Sequence, residues 1–277
     1  MDVQRIKKLL EAQGQAHVLR WWDELDEKGQ KKLLDQIDHI DWNLLPLATQ
    51  HKQAARGKIE PIDGLDLEEI EKDRSQYLAV GKEAVRAGKV AAVLLAGGQG
   101  TRLGNDAPKG TFDIGITRHL SIFEQLICNL QEAVMQCGGI VPLYIMTSES
   151  NDAATRLFFE ENNYFGYPAE QIKFFRQEMA PAVNLDGKLL MSAKDSLALS
   201  PNGNGGWYSS LVRAGLAAEA ERRGVEWFNV FAVDNVLQRM ADPVFVGATI
   251  LSGKATGAKV VRKAYPEERV GVLCLED

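Results

Sequence analysis

The amino-acid sequence predicts an α/β fold in which a doubly wound, mostly parallel, Rossmann-like sheet follows an N-terminal helical lobe. Three observations predict it. Residues Val90 to Ala96 form an apolar run without polar alternation, which is typical of a strand buried on both faces of a parallel sheet. Beyond this run, helical patterns alternate with short strand patterns. The run itself ends in a cluster of glycines, as strands do at the ligand-binding edge of such sheets.

The helical lobe is predicted from apolar residues that recur at helical spacing within residues 3–50. Trp21 and Trp22 could form an aromatic platform for a ligand, but their spacing favours a place in the core. A segment with little periodicity then connects the lobe to the next predicted helix. We therefore divide the chain into a helical lobe with its linker, residues 1–65, and an α/β domain, residues 66–277.

The elements of the α/β domain follow from periodicity and from end signals. Asp66 and Glu69 form the pattern of a capping box, and Gly88 is the expected stop of the helix that begins there. The segment from Pro201 to Tyr208 carries Asn-Gly, which is typical of hairpins, but a helical run follows it, so its glycines are expected to open a helix. Helices are predicted at 66–87, 122–137, from near residue 152, and at 208–223; further strands are predicted at 143–146, 172–175, 226–233, 258–261 and 270–275.

The loop after the buried strand combines several glycines with two cations. Glycine lets backbone amides approach a ligand without Cβ clashes, and the cations Arg102 and Lys109 suit a polyphosphate. An ordinary strand-to-helix turn is the alternative, although such turns seldom carry an arginine and a Pro-Lys-Gly as well. The glycines of this loop are Gly97, Gly98, Gly100 and Gly104.

Two familiar glycine motifs are excluded by the same loop. A Walker loop needs Lys-Ser/Thr after its last glycine, whereas Gly100 is followed by Thr101 and Arg102. A dinucleotide fingerprint that starts at Gly98 needs glycine where Leu103 stands. The loop is therefore a nucleotide-binding candidate of a different kind.

Asp234 follows the strand predicted at 226–233 and is the candidate metal ligand. A carboxylate at the carboxyl end of a parallel strand faces the same edge as the glycine loop, and Mg²⁺ prefers such oxygen ligands. The alternative is an aspartate that caps the following turn. The four histidines and three cysteines show no metal-binding spacing, and the cysteines are interpreted as reduced structural residues.

A long motif resembles the signature of UDP-N-acetylhexosamine pyrophosphorylases, which belong to the UTP:sugar-1-phosphate uridylyltransferases. The motif runs Leu95-Ala-Gly-Gly-Gln-Gly-Thr-Arg-Leu-Gly104 and continues with Pro108-Lys-Gly110 and Asp113-Ile-Gly115. The N-terminal segment Gly14 to Trp22 also resembles a family pattern. The resemblance implies a sheet of the nucleotide-diphospho-sugar transferase type. It further implies that UTP and a sugar 1-phosphate react to give a UDP-sugar, foremost UDP-N-acetylglucosamine, and pyrophosphate, with Mg²⁺ as cofactor.

The resemblance also implies roles for individual residues. Gln177 would read the uracil edge, although Glu178 stands where the family usually has glycine. Arg102 and Lys109 would hold the β- and γ-phosphates as the catalytic pair, and Asp234 would bind the metal beside the substrate-contacting Asn235. The nucleotide would lie against Leu95, Ala96, Gly97, Gly98, Gly100, Thr101, Gln177, Asn204, Gly205 and Gly206.

Family members continue beyond the end of this sequence into a sugar-binding segment. The sequence is therefore expected to cover the nucleotide half of the site and to be truncated on the C-terminal side of the α/β domain. Three alternatives stay open: a UDP-glucose or broad-specificity UDP-sugar pyrophosphorylase, a UTP-binding module without catalysis, and a nucleotide enzyme of another class such as a dehydrogenase. The sequence does not choose among sugar 1-phosphates.

Composition and charge limit the kinds of partner and the location that the sequence predicts. The formal net charge is −6, so the chain shows no nucleic-acid or membrane footprint. Its first residues lack the apolar core of a signal peptide, and no apolar run approaches the length needed to span a membrane. The expected location is cytoplasmic.

Overall fold

The computed structural model describes residues 3–43, 45–46, 57–100, 104 and 107–276. Its helices are α1 Val3–Ala12, α2 Glu27–Asp38, α3 Leu67–Arg86, α4 Ile122–Cys137, α5 Asp152–Glu161, α6 Trp207–Arg213, α7 Leu216–Arg222 and α8 Pro243–Leu251. Its strands are β1 Ile59–Pro61, β2 Val90–Leu95, β3 Leu143–Thr147, β4 Ile172–Arg176, β5 Met179–Pro181, β6 Met191–Ala193, β7 Ser196–Leu197, β8 Leu199–Pro201, β9 Trp227–Ala232 and β10 Cys274–Glu276. The chain forms two compact units, which are described separately: Gly57–Gln177 with Asn204–Asp277, and Met1–Arg56 with Glu178–Gly203.

The first of these units is built on a parallel sheet with the strand order β4-β3-β2-β9. Every residue of β2 is buried, and its side chains alternate between two cores. Val90, Ala92 and Leu94 pack into the core that α4 completes, whereas Ala91 and Val93 pack into the core that contains residues of α6 and α7. The apolar run without polar alternation therefore arises because both faces of the sheet are covered, which confirms the predicted α/β fold.

The predicted ends of the helices are confirmed where the structure describes them. The Asp66 side chain accepts a hydrogen bond from the Glu69 amide, and the Glu69 side chain accepts one from the Asp66 amide, which completes a capping box before α3. Gly88 has a φ of 73°, and Gly138, after α4, has a φ of 71°. Both glycines therefore end their helices in the left-handed conformation that other residues adopt at a cost.

The second unit corrects the predicted domain boundaries. Residues 178–203, which the sequence places in the α/β domain, pack with the N-terminal helices, and the linker residues from 57 onward group with the sheet. The physical reason is burial, because Leu189 and Leu197 complete the apolar core formed by α1 and α2. The Gln15 amide adds a hydrogen bond to the Gly187 carbonyl (2.8 Å). Trp22 packs on this core, as its spacing predicts.

Three further expectations of secondary structure are wrong in part. The helix predicted at 208–223 is interrupted by Gly215, which has a φ of 73°, so α6 and α7 are separate helices. Residues 258–261 form no strand, and Val260 and Val261 are exposed. Of the strand predicted at 270–275 only β10 forms, antiparallel to β1. An apolar pattern yields a strand only where a partner strand offers backbone hydrogen bonds, and among the described residues 258–261 has none.

In the part of the chain that the structure describes, no helix combines the length and apolar character needed to cross a membrane. The cytoplasmic location stays a prediction.

Candidate functional site

The candidate site lies at the carboxyl ends of β2 and β9, two parallel neighbours in the sheet. In chain order, β3 and then β4 are added on one side of β2. The later strand β9 is added on the other side of β2. Adjacent strands whose connections run in opposite directions leave a crevice beyond their carboxyl ends, and open α/β sheets bind ligands there. The glycine loop leaves β2 at this edge, and Asp234 follows β9 at the same edge.

The glycine loop folds back on itself beyond β2. The Ala96 amide donates to the Met146 carbonyl (2.8 Å) and so continues the parallel ladder for one residue. The Gly100 amide then donates to the Ala107 carbonyl (3.0 Å), and the Lys109 amide donates to the Gly98 carbonyl (3.3 Å). This short pairing brings Lys109 next to Gly98, although the two residues are eleven positions apart in sequence.

Gly110 allows the Pro108-Lys-Gly segment to lie against the core. A Cβ atom at Gly110 would stand 2.2 Å from the ring of Phe123, the second residue of α4, so only glycine fits there without displacing the ring. The backbone of Lys109 is thereby held against a buried aromatic side chain, while its own side chain reaches toward the crevice. Packing against Phe123 therefore explains why position 110 is glycine, and charge explains why position 109 is lysine.

Lys109 and Asp234 meet across the crevice. The Lys109 Nζ atom lies 2.5 Å from Asp234 Oδ1, and the two side chains are 23% and 65% exposed. An ion pair this exposed contributes only about 0–1 kcal/mol, so either partner can be exchanged for a ligand group at little cost. Asn235 follows, exposed, and its Nδ2 atom donates to Gln238 Oε1 (3.1 Å).

Gln177 contacts the glycine loop directly. It follows β4 and is 7% exposed. Its backbone amide donates to the Thr147 carbonyl (2.8 Å). A Cβ atom at Gly97 would stand 2.8 Å from Gln177 Nε2, so the glutamine side chain occupies the space that any larger residue at position 97 would need. The structure therefore places Gln177 against Gly97 and pairs Lys109 with Asp234, and the hydrogen bond from the Lys109 amide to the Gly98 carbonyl links the two contacts.

Asn204–Gly206 forms a 3₁₀ turn that opens α6. This confirms that its glycines start a helix rather than a hairpin. The hydroxyl groups of Ser209 and Ser210 donate to the Gly206 carbonyl (3.0 and 2.8 Å) and close the first turn. Among the described residues nothing lies within 4 Å of a Cβ built on Gly205, so the space beside this glycine is open.

The remaining predicted site residues differ in what the structure can say of them. Leu95 and Ala96 are 9% and 2% exposed and their side chains lie in the cores, so they can offer a ligand only backbone groups. Gly98 is exposed at the edge of the loop and Gly100 is buried. Thr101 and Arg102 lie outside the described residues, and their predicted roles stay predictions.

Asp113 and Gly115, which belong to the same motif, build a turn. Asp113 Oδ1 accepts hydrogen bonds from the amides of Gly115 (2.9 Å) and Leu120 (3.0 Å). The Leu120 amide, then that of Gly115, and the neighbouring His119 together hold the pKa of Asp113 below its ordinary value of 3.8. A Cβ atom at Gly115 would stand 1.8 Å from the Arg118 carbonyl oxygen, so the turn requires glycine. This part of the motif is explained by turn geometry.

Sequence reasoning missed Asn151, which is 1% exposed beside the glycine loop. Its Nδ2 atom donates to the carbonyls of Ala96 (2.9 Å) and Gly98 (3.2 Å). Its Oδ1 atom accepts a hydrogen bond from the Ser148 amide (2.8 Å). No sequence signal announces such a residue, because its partners are backbone carbonyls more than fifty residues earlier.

A charged cluster centred on Asp152 adjoins this asparagine. Asp152 Oδ2 accepts from the Nε atoms of Arg156 (2.9 Å) and Arg176 (3.2 Å), and Oδ1 accepts from the Thr147 hydroxyl (2.6 Å). Burial alone would raise the pKa of Asp152, but the hydrogen bonds from Arg156 and Thr147, and the Arg156 charge, outweigh it and hold the pKa below 3.8. The cluster fixes Arg176 immediately before Gln177.

Comparison with known proteins shows which chains this one is similar to. A family model described as UTP-glucose-1-phosphate uridylyltransferase matches residues 32–277. The chain is 39% identical to UDP-N-acetylglucosamine diphosphorylase 1 of Arabidopsis thaliana over 98% of its length, and 38% identical to UDP-N-acetylhexosamine pyrophosphorylase-like protein 1 of Homo sapiens over 99%. It spans 57% and 58% of the length of these two relatives.

Solved structures agree with the fold. The uridine diphosphate N-acetylglucosamine pyrophosphorylase of Trypanosoma brucei matches 98% of this chain with a TM-score of 0.82 at 29% identity, and 58% of that protein is covered. The UDP-glucose pyrophosphorylase of Leishmania major, as an S374F mutant with UDP-glucose, matches 87% with a TM-score of 0.60, and 47% of it is covered. At 17% identity the second match shows a shared fold alone.

Proposed function

The chain belongs to the UTP-glucose-1-phosphate uridylyltransferase family, and we propose that it supplies the nucleotide-binding part of an enzyme that transfers a uridylyl group from UTP to a sugar 1-phosphate. One observation carries the proposal. A loop of small residues, a buried amide side chain, a cation and a carboxylate meet at the carboxyl edge of β2 and β9, where open α/β sheets bind nucleotides. The relatives named after UDP-N-acetylhexosamines favour an N-acetylhexosamine 1-phosphate as the second substrate.

The nucleotide would be held through three kinds of contact. Gln177 offers one donor and one acceptor, which can pair with the carbonyl and imide of a uracil. The backbone of the glycine loop offers amides to the nucleotide without Cβ clashes. Lys109 offers a cation that can exchange its exposed partner for a phosphate oxygen, because the resulting charge-assisted contact is the stronger one. Arg102 would add a second cation from the same loop.

The donor set fits Mg²⁺ that arrives with the nucleotide. Among the described residues no three histidine, cysteine, aspartate or glutamate side chains form a metal-binding group, and Asp234 is an exposed carboxylate at the crevice. Proteins usually hold Mg²⁺ through one or two carboxylates together with substrate phosphates, so a single aspartate is a fitting ligand. When bound, the ion would neutralise charge on the phosphate oxygens. Asp234 would orient it.

The reaction requires little covalent chemistry from the protein. An oxygen of the sugar 1-phosphate forms a bond to the α-phosphorus of UTP while the bond from that phosphorus to the β-phosphate oxygen breaks, so pyrophosphate leaves with the electron pair. The attacking oxygen is already anionic, and no side chain needs to take its proton. Lys109 and Arg102 then contribute by stabilising the charge that develops on the leaving phosphates.

Nucleotide titration and a turnover assay test this proposal together. Calorimetry of this chain with UTP, with CTP as the matched control, should show binding that favours UTP and strengthens with Mg²⁺. The protein that contains this chain should release pyrophosphate from UTP when given N-acetylglucosamine 1-phosphate, and glucose 1-phosphate and N-acetylgalactosamine 1-phosphate measure its sugar preference. A folded chain that binds no UTP would contradict the site, and UTP binding without turnover in the longer protein would contradict catalysis.

A further inference from the structure

Asn151 uses its whole side-chain amide on the backbone around the glycine loop. The two Nδ2 hydrogens go to the carbonyls of Ala96 and Gly98, and Oδ1 takes the Ser148 amide. At 1% exposure the side chain has no access to solvent. A second contact joins the same two segments, since Gln99 Nε2 donates to Ser150 Oγ (3.0 Å).

Because its side chain binds the loop, Asn151 does not act as a side-chain cap for the helix that follows it. It is the N-cap residue of α5, where an asparagine side chain commonly accepts an amide of the first turn, a contact that contributes about 1 kcal/mol. Here the side chain makes no such cap. Serine or aspartate would cap the helix as well as asparagine does, but neither carries two N–H donors. The residue type is therefore explained by the loop rather than by the helix.

The two carbonyls that Asn151 binds stand on either side of Gly97. With both carbonyls turned toward Asn151, the amides of Gly97, Gly98 and Gln99 have no acceptor among the described residues. Successive free amides form a concave site for anionic or carbonyl oxygens. The Gly98 carbonyl also accepts from the Lys109 amide, so the same anchor extends to the segment that carries the cation.

We propose that Asn151 is the positioning residue of the nucleotide site: it orients the Gly97–Gln99 amides toward the oxygens of UTP and registers Lys109 beside them. The role in UTP binding rests on the proposed function. The anchoring of the loop rests on the geometry alone, and the two are separable by experiment.

The test replaces Asn151 with alanine, which removes all three hydrogen bonds, and with aspartate, which keeps the shape and the acceptor for the Ser148 amide. Hydrogen–deuterium exchange of peptides covering 96–100 reports the amides of Ala96 and Gly100, which donate to the Met146 and Ala107 carbonyls. Measured without ligand, exchange of these two amides should be faster in both variants. The Kd for UTP, from calorimetry, should rise between roughly tenfold and a hundredfold, because small displacements of positioning groups cost that much. Aspartate should be the weaker binder, since its charge opposes the phosphates.

Two variants are matched controls. Asn129→Ala removes an asparagine that also donates to two loop carbonyls, those of Val236 (3.2 Å) and Gln238 (3.1 Å), and it should leave exchange at 96–100 unchanged. Tyr167→Phe removes a buried hydroxyl that donates to the Val141 carbonyl (2.7 Å) far from the loop in sequence. It should lower stability while it leaves the Kd for UTP unchanged.

Several outcomes would overturn the proposal. Exchange at 96–100 that stays at the wild-type rate in both variants would show that Asn151 does not hold the loop. Wild-type affinity for UTP would show that the orientation is unimportant for binding. An equal loss of UTP affinity in Tyr167→Phe would reduce the effect to general stability. If wild-type protein itself binds no UTP, the proposed function fails, while the exchange rates still decide whether Asn151 anchors the loop.

Discussion

The position of Lys109 at the carboxyl edge of the sheet distinguishes it, as a candidate ligand-binding cation, from a surface lysine. The chain carries a second lysine–carboxylate pair on the same two strands, because Lys89 Nζ lies 2.9 Å from Glu226 at the amino ends of β2 and β9. Lys109 and Asp234 pair at the carboxyl ends. Both pairs are solvent-exposed and neither contributes much to stability. Only the second pair lies where such sheets bind nucleotides.

We therefore expect Lys109→Ala to lower kcat/KM of the protein that contains this chain by about a hundredfold, or about 3 kcal/mol of transition-state stabilisation. Lys89→Ala is the matched control and should leave kcat/KM unchanged. Steady-state pyrophosphate release measures both. Equal effects of the two substitutions would show that general charge rather than the crevice position matters.

Gly97→Ala tests the contact between the loop and Gln177, the side chain proposed to read the base. The new Cβ would meet Gln177 Nε2 at 2.8 Å, closer than a Cβ can approach without a shift, so Gln177 must move. The preference for UTP over CTP should fall, because a site that hydrogen-bonds one base edge rejects the other. The ratio of the two Kd values is the measurement. Gly98→Ala, where a Cβ meets nothing within 4 Å, should keep this ratio whatever it does to overall affinity.

The lowered pKa of Asp152 predicts how the stability of the protein changes in acid. Its pKa is lower in the folded chain than its ordinary value of 3.8, so its contribution to stability is fully present above that value. The contribution is lost as the pH falls through the lowered pKa. Asp152→Asn should cost about 1.5–3 kcal/mol near pH 6, the range for hydrogen bonds to charged groups. The difference from wild type should shrink toward pH 2 in urea unfolding. A constant difference across this range would contradict the role of the charge.

At the scale of single residues, the sequence predicts groups with a distinctive chemistry and misses those that act on backbone. Lys109 and Asp234 were expected at one edge because the carboxyl ends of parallel strands meet, and they form an ion pair there. Asn151 gives no such sign. An asparagine before a helix looks like a cap, and only the fold shows that its amide reaches carbonyls of a distant loop.

At the scale of elements, α3 and α8 cross so closely that glycine is required on both. A Cβ at Gly81 of α3 would stand 1.8 Å from the Pro243 carbonyl oxygen, and one at Gly247 of α8 would stand 1.8 Å from that of Tyr77. Gly81→Ala should therefore separate the helices and lower the free energy of unfolding by about 1–3 kcal/mol, as overpacking does. Thermal unfolding measures the loss. Gly64→Ala, which meets nothing within 4 Å, should cause none.

Elements with a complete local signal are those that the sequence predicts well. The strand β2 is buried on both faces, and α3 has a capping box and a terminal glycine, so pattern and structure agree. The run at 258–261 has an apolar pattern too, yet among the described residues no strand pairs with it. Strand formation depends on a distant partner, which periodicity along one segment does not contain.

At the scale of the whole molecule, each of the two units is assembled from two separate stretches of chain. The segment Glu178–Gly203 leaves the sheet unit directly after Gln177 and returns to it at Asn204. In this segment Leu189, which precedes β6, and Leu197 of β7 are each 2% exposed and lie in the core of the N-terminal helices. The sequence analysis includes this segment in the α/β domain, since it lies between the strand predicted at 172–175 and the helix predicted at 208–223. The boundary depends on which apolar groups bury each other, and that is a property of the folded chain.

The two-part assembly predicts that residues 1–56 do not fold alone. Without Glu178–Gly203 the helices α1 and α2 would expose the surface that covers Leu189 and Leu197, and Gln15 would lose its partners at Gly187 and Leu189. Circular dichroism of a 1–56 polypeptide should show little helix and no cooperative melting. The same polypeptide joined to residues 178–203 by a glycine–serine linker should melt cooperatively. Leu189→Ala in that fusion should lower the free energy of unfolding by about 2–5 kcal/mol. A cooperative transition in the 1–56 polypeptide alone would contradict the assignment of both stretches to one core.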